Sequence, residues 1–278
     1  MDLKSYAKIN LSLIVNKKLK NGFHNIQTLF CMINLFDNIS IKKIKDNRDR
    51  ILFEGPHKKN IKKSNNSIKN LLIILRESKQ ISDYYEVKIN KKIPVFAGLG
   101  GGTSNAATIM NFLIKKKISK MLFEKIVGVI GSDLRLFFHN YGFLKDSKKV
   151  IKLKKKYKLN FLLVYPKIKC STKDIFHRVR KYSVKNKFSQ RNVKNKSIFI
   201  DYIVNSNNDL QPIVEKKYPS IQRLLKNISE EQGCFLSRLT GSGSVCYGLF
   251  INEKCSIVAL KRLRKKYPKF WFYIAKTI

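Results

Sequence analysis

Acidic residues are scarce in this chain: 18 Asp and Glu stand against 58 Lys and Arg, a formal net charge of +40 over 278 residues. So lopsided a balance suggests nucleic-acid binding, because clustered cations release counterions when they meet phosphates. The distribution argues against it. The lysines are spread through the chain, at Lys42 to Lys45, Lys58 to Lys63, Lys115 to Lys117, Lys148 to Lys156 and Lys185 to Lys196. No zinc-finger or RNA-recognition signature stands beside them. They come with abundant Ile and Asn, the pattern that drift in an AT-rich genome produces, and read as solvated faces. The field they create would still draw in anionic nucleotides.

Cysteine is also sparse. Five residues, Cys31, Cys170, Cys234, Cys246 and Cys255, make an odd set with no C-x-x-C pair and no His at metal-ligand spacing. Reduced thiols in a cytoplasmic protein are expected, mostly as small buried hydrophobes. Long apolar runs are missing, since lysines interrupt every one before the roughly 20 residues that a membrane-spanning helix needs. The first residues, MDLKSYAKINLSLIVNKK, lack the pattern of a secretory signal, with Lys8 and Asn10 where it would be most apolar. A soluble protein without a membrane partner is expected. Oligomeric state is not legible.

What is present is enough apolar content, 44%, to fill one large core or two modest ones. Ile9, Leu11, Leu13 and Val15 alternate with Lys8, Asn10 and Ser12, predicting a strand over Ser5 to Val15 with one face buried and one free for chemistry. Asn21-Gly22 is a turn signal, followed by a strand from Ile26 to Leu35. Helices are predicted near Asn70 to Arg76, Ser104 to Ile114, Ser119 to Ile130 with Gly131 as its stop, Ile175 to Tyr182, Tyr218 to Asn227 and Ile257 to Lys266. Strands are predicted at Tyr85 to Ile89, Phe161 to Tyr165 before Pro166, Val245 to Ile251 and Trp271 to Ala275, and Lys148 to Lys156 reads as a solvated connection. Strands not strictly interleaved with helices favour an α+β class over a doubly wound sheet.

The strongest local signal runs from Pro94 through Val95, Phe96, Ala97, Gly98, Leu99, Gly100, Gly101, Gly102, Thr103 and Ser104 into Asn105, Ala106 and Ala107. Its glycines let backbone approach a ligand, and the helix behind them would aim free N–H groups and its positive end at phosphate oxygens. It is neither a Walker A loop nor a complete G-x-G-x-x-G. On its own it could equally be an ordinary loop before a helix.

This segment resembles the ATP-binding loop of the GHMP kinases, P-x-x-x-G-L-G followed by two small residues, and the Gly-Gly-Gly-Thr-Ser-Asn-Ala-Ala run resembles their diphosphocytidyl-methylerythritol kinase branch. Other stretches agree with that branch in order. Ala7-Lys8-Ile9-Asn10-Leu11 and Asn21-Gly22-Phe23-His24-Asn25-Ile26-Gln27-Thr28-Leu29-Phe30 are similar to its A-K-I-N-L and D-G-Y-H-x-L-x-T-L-F. Gly131-Ser132-Asp133-Leu134 resembles G-A-D-V-P, and Asn208-Asp209-Leu210 and Leu239-Thr240-Gly241-Ser242-Gly243-Ser244 resemble N-D-L-E and (S/T)-G-(S/T)-G-A.

The resemblance implies roles. Asp133 would be the general base that takes the proton of the acceptor hydroxyl, which a carboxylate can do at neutral pH. Lys8 would stand beside it and stabilise charge on the transferring phosphoryl group. Asn10, on the same strand face as Lys8, would bind substrate or orient the pair. Phe23 and His24 would recognise cytosine, with Thr172 and Phe176 closing on the base. Thr240, Gly241, Ser242 and Gly243 would support the substrate's diphosphate. Without the resemblance, Asp133 reads as a helix N-cap, Lys8 as a strand edge and the aromatics as core. Mg2+ is expected with ATP, with Thr103 and Ser104 its nearest candidates and its ligands otherwise unknown. Two departures stand out: Phe23 where the branch has Tyr, and Leu134-Arg135 where it has Val-Pro. Arg135 could bind phosphate or face solvent.

The fold implied is the two-domain GHMP kinase fold. An N-terminal ribosomal-S5-like α+β domain over 1–150 would carry ATP and the catalytic pair, a C-terminal ferredoxin-like α+β domain over 151–278 would close on substrate, and the site would lie between them. The reaction implied is phosphorylation of the 2-hydroxyl of 4-CDP-2-C-methyl-D-erythritol by ATP, in the non-mevalonate route to isoprenoid precursors. Another GHMP small-molecule kinase, or a basic protein that binds nucleic acid without catalysis, are the alternatives.

Overall fold

In chain order the elements of the computed structural model are β1 (Asp2–Asn10), β2 (Ile14–Lys18), β3 (His24–Ile44), β4 (Arg50–Glu54), α1 (Ser67–Glu77), β5 (Tyr84–Asn90), α2 (Gly101–Leu113) and α3 (Lys120–Ile130). A 3-10 turn, Ser132–Phe138, follows. Then come β6 (Tyr141–Leu144), β7 (Val150–Lys152), β8 (Asn160–Tyr165), α4 (Thr172–His177), α5 (Lys196–Val204), α6 (Gln211–Lys217), α7 (Pro219–Ser229), β9 (Cys234–Leu239), β10 (Cys246–Phe250), α8 (Glu253–Lys266) and β11 (Trp271–Lys276). The structure describes residues 2–20, 22–59, 61 and 66–278. Asn21 of the Asn21–Gly22 turn, and Lys62 and Lys63, lie outside them.

The chain divides into two compact units, each discontinuous in sequence. The first comprises residues up to Lys8, Leu35–Val95 and Gly100–Phe138. Here the second half of β3 pairs antiparallel with β5, Ile39 opposite Ile89 and Ile41 opposite Val87, and β4 lies parallel on the far side of β5. Helices form where caps and apolar periodicity coincide. Asn66 caps α1 by accepting from the N–H groups of Ile68 and Lys69, and Ile68, Leu71, Leu72 and Leu75 give the helix a buried stripe. Ser119 caps α3. The stripes meet Ile39, Ile41, Val87 and Ile89 of the sheet, and Ala106, Ile109 and Met110 of α2, in one core.

The second unit comprises Ile9–Asn34, Phe96–Leu99 and His139–Ile278. Its four-stranded antiparallel sheet runs in the order β11-β8-β10-β9. With helices between β8 and β9 and α8 between β10 and β11, this is the split βαβ arrangement of ferredoxin-like folds. β8 is an interior strand of this sheet, and its Phe161, Leu162, Leu163 and Val164 are all buried, which explains its unbroken apolar run. Pro219 starts α7, and Ile221, Leu224, Leu225 and Ile228 line its buried face.

Several sequence expectations need correction. The strand predicted over Ser5 to Val15 is two, because the backbone turns aside at 11–13. Leu11 N–H bonds to Leu29 O at 2.7 Å and Leu13 N–H to Asn207 O at 2.9 Å. Both faces of β1 are buried from Ala7 onward, Lys8 and Asn10 included. The lysine run at 148–156 holds β7, held in place by pairing of Phe143 with Ile151. The helix predicted to Tyr182 stops at His177, and the following chain is drawn off by a bond from Ser183 N–H to Val15 O, 2.9 Å.

Candidate active site

Gly100, at φ 71°, caps α2, and Ser104 N–H makes the helix's first i→i−4 bond, to Gly100 O at 2.8 Å. The N–H groups of Gly101, Gly102 and Thr103 precede that bond and are the donors with which a helix start binds phosphate. Packing explains the small residues. A Cβ on Gly100 would stand 2.6 Å from Phe137 Cζ and 3.3 Å from Lys8 Cε, and one on Gly101 2.9 Å from Ile93 Cγ2. Gly102 is exposed and has room. The loop's earlier stretch, Phe96 to Leu99, belongs to the second unit. There Gly98 has φ 76°, and a Cβ would meet Thr240 O at 2.1 Å, a backbone atom that cannot step aside.

Lys8 and Asp133 are brought together. Lys8 Nζ lies 3.4 Å from Asp133 Oδ2, the ammonium nearly fully buried and the carboxylate about one-third exposed. That distance describes an ion pair longer than a good charge-assisted hydrogen bond. Asp133 occupies the first turn of the 3-10 segment, just after Gly131 at φ 130°. Thr103 Oγ1 lies 3.8 Å from where a Cβ on Gly131 would stand, so its hydroxyl is beside this hinge. Ser104 is different: its hydroxyl donates to Tyr6 O at 2.6 Å and receives Ser5 Oγ at 2.8 Å. It is buried, and these bonds tie the start of α2 to β1.

Arg135 does not face solvent. It is buried, donates from Nη2 to Glu124 of α3, and lies over the Phe123 ring at 5.2 Å.

Below the glycine loop lies a buried polar cluster that sequence reading missed. Asp37 Oδ1 accepts from the N–H groups of Lys92 (2.7 Å) and Ile93 (2.8 Å). Its Oδ2 accepts from Lys91 Nζ and from Asn105 Nδ2. Lys91 Nζ also reaches Asn105 Oδ1 at 2.9 Å, and Asn105 Nδ2 reaches Ser5 Oγ at 2.9 Å. The cluster therefore ties the start of the loop, the first turns of α2 and the strand bearing Lys8. Burial pulls the Lys91 ammonium's pKa below its ordinary value, against the opposing pull of Asp37. An acid inside the apolar run Ile33-Asn-Leu-Phe-Asp37 was the available signal.

In the second unit, His24 packs against Phe176 at 5.2 Å and Tyr182 at 6.2 Å between ring centroids. Tyr182 was not foreseen as a site residue. Phe23 beside it is exposed. Burial, and then the charge of Lys18, lower the His24 pKa below its ordinary value. Thr172 and Ser242 share a hydroxyl hydrogen bond of 2.9 Å. Thr240 is fully buried, its hydroxyl accepting from Asn10 N–H at 3.1 Å and lying 3.3 Å from Gly98 O. Asn10 in turn donates from Nδ2 to Thr28 Oγ1 at 2.8 Å. Both side chains thus brace the loop, and the 240–243 backbone is what they hold in shape. Asn208 completes the brace, donating to Leu239 O and Gly241 O at 2.9 Å each. Arg238, also unforeseen, is buried and donates to the carbonyls of Leu11 and Ile203 at 2.5 and 3.0 Å.

Comparison with known proteins shows the family and the fold. Residues 197–269 match the family described as GHMP kinases C terminal. The chain is 36% identical to 4-diphosphocytidyl-2-C-methyl-D-erythritol kinase of Pelagibacter ubique, over 99% of this chain and 98% of that one. It is 31% identical to the protein of the same name from Ureaplasma parvum, covering 93% and 98%. A crystal structure of 4-(cytidine 5'-diphospho)-2C-methyl-D-erythritol kinase shares the fold, with a TM-score of 0.74 at 19% identity and 99% coverage of both chains. By the extent and level of these likenesses, the chain belongs to the 4-diphosphocytidyl-2-C-methyl-D-erythritol kinase family of the GHMP kinases.

Proposed function

We propose that this chain transfers the γ-phosphoryl group of ATP to the 2-hydroxyl of 4-CDP-2-C-methyl-D-erythritol, a cytoplasmic step towards isoprenoid precursors. The observation that carries the reading is the Lys8–Asp133 pair beside the glycine-started helix α2, with Gly100 packed on Lys8. Asp133 accepts the hydroxyl proton as the acceptor oxygen bonds to the γ-phosphorus. The bond from that phosphorus to the bridging oxygen breaks and ADP leaves. Lys8 and the N–H groups at the start of α2 offset the charge that develops on the phosphoryl oxygens. Such transfer needs alignment more than a strong base.

Among the described residues no three His, Cys, Asp or Glu gather as a metal-binding group. That suits a magnesium ion held chiefly by phosphates and water, with the Thr103 hydroxyl its nearest protein candidate. Bound there, the ion would neutralise charge between the β and γ phosphates.

His24, flanked by Phe176 and Tyr182, would read cytosine, with Phe23 as a further stacking face. The 240–243 loop would offer backbone N–H groups to the diphosphate. Thr172, bonded to Ser242, would fix that loop against α4.

The test is ADP release from Mg-ATP with candidate acceptors. Turnover is expected with the cytidyl methylerythritol and not with homoserine or mevalonate, and silence with the cytidyl acceptor would overturn the proposal. Recognition through His24 adds a pH signature. A neutral imidazole offers one donor and one acceptor, whereas the cation offers donors only. Because burial and Lys18 hold the His24 pKa down, the KM for the acceptor should stay flat from pH 8 past the ordinary histidine range and climb only below it. Removing the Lys18 charge with Lys18→Gln should move the climb to higher pH. A pH profile unmoved by that substitution would remove His24 from the recognition scheme.

A further inference from the structure

Gly131 separates α3 from the turn that carries Asp133, with a φ of 130° that side-chain-bearing residues rarely adopt. The chain changes direction at this joint, where Gly131 N–H bonds Val127 O at 2.9 Å and Leu134 N–H bonds Gly131 O at 3.1 Å, and a side chain that spans it adds a second, tertiary tie. Arg135 is such a side chain. It leaves the turn two residues after Asp133, and its buried guanidinium crosses back to Glu124 and Phe123, adjacent residues about two turns before the end of α3. Phe123 also packs against Phe138 at 5.9 Å, so the same ring holds the far end of the turn. From the core side, Leu134 and Leu136 are fully buried.

We propose that Arg135 is a positioning residue for the base: by spanning the Gly131 joint it fixes the turn, and with it the Asp133 carboxylate, relative to Lys8 and the acceptor hydroxyl. The inference rests on the kinase reading and on Asp133 as its base. Its physical ground is the steep dependence of transfer on alignment, in which a displacement of about 1 Å can cost on the order of a hundredfold. Glu124 is 41% exposed, so the pair's net attraction is screened. What the bond supplies is direction, since the planar guanidinium is held by the carboxylate at its end and the ring on its face.

The experiment begins with the unaltered protein, whose turnover of the cytidyl acceptor tests the parent reading, and with Asp133→Asn as the floor. Arg135→Met should lower kcat roughly tenfold while the KM values for ATP and acceptor stay within about twofold, the mark of an interaction realised in the transition state. Arg135→Lys, which keeps a cation for Glu124 but not the planar group that the ring and the carboxylate hold, should recover only part of that loss. Adding Glu124→Gln to Arg135→Met should cost nothing further, as for two members of one interaction. The inference is overturned if Arg135→Met keeps a native kcat, if its deficit vanishes once rates are scaled by the folded fraction, or if the KM for ATP rises instead, which would make Arg135 a phosphate ligand. Absence of turnover in the unaltered protein would overturn the kinase reading and this inference with it, a result distinct from each of those.

Discussion

Asp133→Asn should reduce kcat for ADP release by about a hundredfold to ten-thousandfold, the range that general-base assistance typically supplies. The substitution preserves shape and removes the capacity to take a proton, so the KM for ATP should change by about twofold or less. A second effect runs alongside. Lys8 is nearly fully buried, and the carboxylate 3.4 Å away is one of its partners. Withdrawing that charge makes the ammonium costlier to keep folded, but Asp133 is about one-third exposed and solvent screens the pair. The fall in melting temperature should therefore be small beside the fall in rate. A large rate loss with an intact fold supports the base assignment. Native turnover in Asp133→Asn would dismiss it, leaving the aspartate as a cap for the 3-10 turn.

The elements legible in the sequence were those whose local chemistry and burial agree. In α1, α3 and α7 the apolar spacing matches the buried face, and α3 ends at the glycine that its sequence marks as a stop. β8 was legible because an interior strand buried on both faces needs an unbroken apolar run. The elements missed lack such agreement. β7 is three residues of a lysine-rich stretch, and its strand character comes from β6, its partner in the sheet. The helix predicted through Tyr182 has the right spacing on paper, yet Val15 captures the Ser183 N–H and Tyr182 turns to His24. Tertiary partners of this kind leave no local trace.

The candidate site divides along the same line. Lys8, Asp133 and the glycine loop were legible as ordered motifs, and the structure adds why the loop is so small: Gly98 faces a carbonyl and Gly100 a phenyl ring. The bracing residues were not. Asn10 and Thr240 were expected at the substrate from the resemblance, and the structure adds that Asn10 N–H donates to the Thr240 hydroxyl, a pairing 230 positions apart that leaves no local trace. Asp37 and Lys91 are 54 positions apart, and neither carries a sign of the other.

That pair supports the largest stability effect to be expected from a single substitution in the first unit. Asp37 and Lys91 are essentially without solvent contact, so the carboxylate balances an ammonium that water cannot reach. Asp37→Ala would strand that ammonium and take the acceptor from the Lys92 and Ile93 N–H groups at one stroke. Breaking a buried pair by removing one partner costs about 3–5 kcal/mol, a large share of what holds a domain together. Thermal or urea unfolding should show a loss of that order in Asp37→Ala. Lys91→Met tests the cause. The double substitution should be less destabilised than the sum of the two single ones, since with Asp37 gone there is no longer an ammonium to strand. Additive losses would mean that the pair is not the unit of stability. At temperatures where Asp37→Ala remains folded, its kcat should fall as well, because the same carboxylate fixes the entry to the glycine loop and, through Asn105 and Ser5, the strand that presents Lys8. A variant that unfolds earlier yet turns over normally while folded would confine Asp37 to stability and separate the cluster from catalysis.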